Sequence, residues 1–190
     1  ALQIIAGNDF ARLTTLSLFA CGVTVSATMP YQSLYAVKEL GMTDAVFSLF
    51  MFAVSVMSVI CAVSLGALSD GMTNRKPLVL WLAACGVLGY GLIYWSANMV
   101  VFMILMLTLV PLTRAVFSLL FSGIRRELDG FEKGDATAVN SMLRAIFALS
   151  WILVPGIVAW WLKASVTLAP IYLVAAIASM VILAAYSTIT

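Results

Sequence analysis

Six runs of apolar residues, each close to the length that crosses a bilayer, are separated by short polar stretches, and this pattern leaves few folds open. About 20 consecutive apolar residues span the hydrocarbon core as a helix. By that measure the spans are predicted at about 13–37, 46–68, 78–95, 99–123, 137–162 and 168–186. A transmembrane β-barrel would show alternating segments of about ten residues instead. Charged residues make up 9% of the chain, where a soluble domain carries about 25%. The longest polar connection, 125–135, is too short to hold a water-soluble domain. The sequence therefore predicts an all-α integral membrane protein of six transmembrane helices. Short connections make sequential helices antiparallel neighbours.

The connections carry local signals. Asn8 and Asp9 are suited to cap the first helix. Residues 38–44 form a polar turn, Pro77 suits the first turn of a helix, and Ser96-Ala97-Asn98 is a tight reversal. Lys and Arg near span ends mark the cytoplasmic side. Arg12, Arg75, Lys76, Arg125, Arg126 and Lys133 fall at one end, against Lys38 and Lys163 at the other. The first end is predicted to be cytoplasmic, with both termini inside and the chain in the cell (inner) membrane. The acids Glu127, Asp129, Glu132 and Asp135 do not upset this, because the rule counts positive charge.

Several chemistries are excluded. There is no His, so no imidazole relays protons or binds metal. Cys21, Cys61 and Cys85 all sit inside apolar runs, where free Cys packs as a small hydrophobe. No metal cluster, disulfide framework or nucleophile–base pair is visible, so neither a metal nor another cofactor is expected, and no enzyme activity. The expected partners are lipid and a small solute, not nucleic acid.

Polar residues inside the spans are the informative ones, because hydrocarbon makes them costly. Arg114 lies about ten residues from the charged end of the fourth span, roughly 15 Å deep at 1.5 Å per residue. Arg144 is one to two turns into the fifth span and can reach the surface. Arg114, Ser118 and Ser122 recur at i, i+4 and i+8; Asn140, Arg144, Phe147 and Trp151 follow a similar stripe. Thr24, Thr28, Tyr31, Gln32 and Tyr35 form a third on the first span. The plainer reading is interhelical hydrogen bonding by Ser and Thr, with Arg114 bonding a carbonyl freed by Pro111. It accounts less well for Gln32, Asn140 and Arg114 than a hydrated cavity does. No Asp or Glu lies at mid-membrane depth. A proton-coupled carrier would need a titratable group from Asp70, the loops or elsewhere.

The stretch Gly66-Ala67-Leu68-Ser69-Asp70-Gly71-Met72-Thr73-Asn74-Arg75-Lys76 is a charged plug between the second and third runs. It resembles the loop between the second and third helices of major facilitator superfamily transporters. That pattern is Gly, three residues, Asp, a basic residue, any residue, Gly, then basic residues. Gly66, Leu68, Asp70, Arg75 and Lys76 match, while Gly71, Thr73 and Asn74 depart from it. In the fourth span, Arg114 matches the superfamily's Arg, with Phe117 and Ser118 where Gln and Gly would stand. Val154-Pro155-Gly156 keeps part of a Gly-Pro pattern of the fifth span. Residues 140–156, and Ser33-Leu34-Tyr35 before Lys38-Glu39-Leu40-Gly41, look most like bacterial sugar efflux transporters.

The resemblance implies the N-terminal six-helix half of such a transporter, and with it a second half, missing here or supplied by a second copy; a fragment is the expectation. It implies efflux of sugars or similar small solutes by alternating access. Arg114, Arg144, Asn140 and Gln32 would bond hydroxyls, and Trp151, Tyr31 or Tyr35 would stack on a sugar face. Gly66, Asp70, Arg75 and Lys76 would form the conformational-switch loop. The alternatives are a multidrug or other small-molecule exporter of the same superfamily, and a six-helix scaffold or channel subunit without a transport cycle.

Overall fold

The computed structural model describes residues 9–127 and 133–188. Asn8, Asp129 and Glu132, and the side chains of Arg126, Glu127 and Lys133, lie outside the described residues. Six helices are long and apolar enough to cross a membrane: Asp9–Thr28, Asp44–Asp70, Lys76–Ser96, Met99–Arg125, Gly134–Leu162 and Pro170–Thr188. No strand occurs among the described residues. The protein is an all-α, multi-pass membrane protein.

Helix ends follow local chemistry. The Thr43 hydroxyl accepts from the Val46 N–H at 3.3 Å and starts the second span. Asn98 starts the fourth, its Oδ1 accepting from the N–H groups of Val100 at 2.9 Å and Val101 at 3.3 Å. Pro77 sits in the first turn of the third span, where its missing N–H costs nothing. Ala97 reverses the chain between the third and fourth spans at φ 41°, in the left-handed region.

Two spans depart from continuous helices. The first ends at Thr28 and does not run on to residue 37. Pro30 cannot donate to the ladder, and its ring collides with the carbonyl four residues back. After Met29–Tyr31 the chain resumes as Gln32–Leu34 and a π-helical turn, Tyr35–Glu39, which buries Tyr35 and Ala36. Thr24 and Thr28 therefore do not share one helical face with Tyr31, Gln32 and Tyr35. Their hydroxyls donate instead to their own helix, to Ala20 and Thr24 carbonyls at 3.0 and 2.9 Å. The fourth span is broken into Met99–Leu107, Leu109–Arg114 and Val116–Glu127. Pro111 cannot donate to the Leu107 carbonyl, which accounts for disorder of the ladder at Thr108.

The sixth span packs on the first and third, the first also on the fifth, and the fourth on the second and third. Small residues allow these close approaches: Ala175, Ala176, Ala178, Ser179 and Ala185 are buried on the sixth span. Two core layers result. One gathers Leu82, Leu120, Leu143 and Ile182. The other is aromatic, with Tyr35 5.0 Å from Tyr172 and 5.8 Å from Phe102 between ring centroids.

The second and fifth spans are only 11% and 17% buried, while the other four lie between 44% and 56%. They leave Leu49, Phe52, Val63, Ile152 and Ile157 exposed. In water such faces would drive association; against lipid or another helical bundle they are at home. Trp95 and Trp160 are exposed near the ends of the third and fifth spans, positions where indoles favour the bilayer interface.

Candidate functional site

Arg114 closes the middle segment of the fourth span, immediately before the interruption at Ala115. Arg114 lines a cavity of about 220 Å³ with Thr24 of the first span, Met29 just after it, Tyr90 of the third, and Phe117 and Phe147 of the fourth and fifth. Tyr90, 2% exposed, presents its phenol ring to the same lining. Among the described residues the ion pairs are Arg12–Asp9 and Arg75–Asp70, and neither involves Arg114. The charge is thus left at the cavity, beside the phenol of Tyr90. The third span offered one hint of this: a tyrosine in an apolar run needs a partner for its hydroxyl.

Ser118 and Ser122 do not join Arg114 in that cavity. With Arg125, Arg144, Phe117 and Phe121 they line a second, wider one of about 460 Å³. Phe117 belongs to both linings. Its ring lies 4.5 Å from Phe147 and 4.7 Å from Phe121, so an aromatic partition separates the two arginines that the sequence suggested as one site. The Ser118 and Ser122 hydroxyls donate to the Ala115 and Leu119 carbonyls at 2.9 and 3.1 Å.

The other candidate residues are dispersed. Tyr31 donates to the Pro155 carbonyl at 2.7 Å, docking the turn after the first span on the fifth. Gln32 is buried, its amide nitrogen 3.6 Å from the Met51 sulfur. Tyr35 lies in the aromatic core layer and lines neither cavity. Trp151 is exposed at 38%. Asn140 keeps its amide oxygen buried with no partner among the described residues.

At the charged end, Arg75 is the centre of the loop. Its Nε donates to the Ser69 carbonyl at 3.0 Å and its Nη2 to Asp70 at 3.0 Å. Its Nη1 donates to Ser122, which ties the end of the second span to the fourth. Lys76 reaches the Ser187 carbonyl of the sixth span at 3.2 Å. Gly66 has open space where a Cβ would stand, so nothing within these six helices requires a glycine there.

No family model matches the sequence, and no solved structure matches it. Three named proteins do, two of which are the following. A Deinococcus radiodurans protein whose name is that of a sugar efflux transporter is 30% identical over 146 residues, covering 75% of this chain and 37% of that protein. Sugar efflux transporter B of Salmonella typhimurium is 24% identical over 163 residues, covering 86% of this chain and 41% of that protein. The chain thus spans about two fifths of the length of the relatives it matches. With six apolar helices, the Asp70–Arg75 loop between the second and third, and these alignments, the chain is identified as one six-helix half of the major facilitator superfamily fold, consistent with the N-terminal one, and similar in sequence to bacterial sugar efflux transporters.

Proposed function

We propose that the chain is the N-terminal half of a secondary transporter that exports sugars or similar small solutes by alternating access. The observation that carries this reading is the Arg114 cavity: an ionised group deep in a span, with no carboxylate partner among the described residues, beside open volume. Such residues normally mark a solute pathway. A second half would pack against the exposed faces of the second and fifth spans and close the cavity at the midplane, where this class of carrier binds its substrate. Arg114 is the principal contact in this proposal, with Arg144, Asn140 and Trp151 as further candidates. Tyr31, Gln32 and Tyr35 are assigned to holding the turn after the first span. The test is counterflow of labelled sugars in proteoliposomes containing the full-length gene product. Absence of transport, together with no second six-helix repeat in that product, would leave a scaffold.

One observation favours a broader exporter. Apart from Arg114 and two threonines, whose hydroxyls bond backbone, the cavity presents mainly apolar and aromatic side chains, among them Val25, Met29, Phe117 and Phe147. That lining suits an amphipathic solute. Running amphipathic dyes beside the sugar panel in the same vesicles separates the two.

The proposed orientation places the Arg75 loop and both termini in the cytoplasm. In a background lacking the three native cysteines, single Cys probes at Ala97 and Ser165 are expected to react with an impermeant maleimide added to intact cells. Probes at Thr73 and Asp135 should react only after permeabilisation. The opposite pattern overturns the topology.

Asp70 is proposed as the movable partner of the loop. Its carboxylate is 78% exposed in the pair with Arg75, so Asp70→Asn should cost at most about 1 kcal/mol of stability. Transport should nevertheless fall if the pair stabilises one state of the cycle. Unchanged transport at matched expression removes Asp70 from that role.

A further inference from the structure

The wider cavity includes Arg144, a secondary candidate of the transport proposal, and has its own chemistry. Its polar lining is Arg125, Arg144, Ser118 and Ser122 over the rings of Phe117 and Phe121. Both serine hydrogens are committed to backbone carbonyls, so the guanidiniums are the donors that face the space. Among the described residues no carboxylate lines it, and neither Arg125 nor Arg144 takes part in an ion pair. A third guanidinium, Arg75, borders it by donating to Ser122, its charge already paired with Asp70. Like charges gathered around one concave space repel, and an anion between them reverses that term.

We propose that this vestibule binds a phosphate ester, its phosphate held by Arg125 and Arg144. Planar guanidiniums match phosphate oxygens in paired, charge-assisted hydrogen bonds. The same chemistry has two sources: a phosphorylated sugar in solution, or the headgroup of a lipid such as phosphatidylglycerol. Phe117 is common to both linings, so Arg114→Ala is the control that tells this site from the Arg114 cavity.

The experiment uses the purified full-length gene product. Glucose 6-phosphate, inorganic phosphate and glucose are titrated against the detergent-solubilised protein. Retained phosphatidylglycerol is measured in parallel by native mass spectrometry. Binding of glucose 6-phosphate that weakens roughly tenfold or more in Arg125→Gln and Arg144→Gln, as expected for lost charged hydrogen bonds, and persists in Arg114→Ala, supports the solute arm. Retention of phosphatidylglycerol that is lost in the same two variants, with no solute binding, supports the lipid arm. Thermal midpoints close to wild type show that the variants are folded; should either single variant fail to fold, Arg144→Lys, which keeps the charge and loses the fork, takes its place. Overturning results are no binding of either ligand, binding indifferent to both arginines, or binding that emerges only when Glu127, Asp129 and Glu132 are neutralised. The last would make the loop's own acids the occupant.

Discussion

Arg114→Ala is expected to weaken substrate binding to the full-length protein by about 1.5–3 kcal/mol, the range for a hydrogen bond to a charged group. The guanidinium lines the cavity and has no carboxylate partner among the described residues. Much of its hydrogen-bonding capacity is therefore open to a solute. Arg114→Lys should restore little, because an ammonium lacks the planar five-donor fork. Tyr90→Phe separates the roles. It removes the phenol hydroxyl of the third span but leaves the charge at the cavity, so affinity should fall less than in Arg114→Ala. Isothermal titration and thermal midpoints on the same preparations decide the matter. Lost stability with unchanged affinity in Arg114→Ala makes the residue a packing lock between the third and fourth spans.

The other large effect falls where the first and fifth spans cross. A Cβ on Gly22 would stand 2.2 Å from the Ser150 Oγ, 2.9 Å from its Cβ and 3.2 Å from the Phe147 carbonyl oxygen. Rotation of the serine relieves only the first contact. Gly22→Val must therefore push the helices apart, and overpacking of this kind costs about 1–3 kcal/mol. Phe147 faces the Arg114 cavity from the displaced helix, so substrate affinity should fall together with the thermal midpoint. Gly22→Ala combined with Ser150→Gly should recover most of the loss relative to Gly22→Ala alone. A Gly22→Val protein with wild-type midpoint and affinity would show that the helices do not meet this closely.

The candidate site was partly legible. Arg114 stands out in a sequence because hydrocarbon penalises an ion wherever the rest of the fold places it. Its cavity neighbour did not stand out, since Tyr90 is 24 residues away and one aromatic among many. Arg114, Ser118 and Ser122 recur at i, i+4 and i+8, yet the arginine and the serines line different cavities that share Phe117. The stripe through Thr24, Thr28, Tyr31, Gln32 and Tyr35 is broken at Pro30, and Tyr35 went into the core. Proline was visible at both breaks, but the direction a chain takes after a break is set by what it packs against.

Span number, span length and helical class depend on quantities that each residue carries with it: transfer free energy, the missing N–H of proline, the capping oxygen of Thr43 or Asn98. These are summed along the chain, so the sequence by itself determined them. The tertiary structure alone decided which spans are buried and which present apolar faces outward, that Gly22 meets Ser150, that Phe117 and Phe147 divide the interior into two cavities, and that Arg75 ties the second span to Ser122. Six apolar helices are nearly equivalent to lipid, and hydrophobicity does not choose among their pairings. The choice falls to small residues that let backbones approach and to a few polar side chains that must find partners, and those are relations between distant positions.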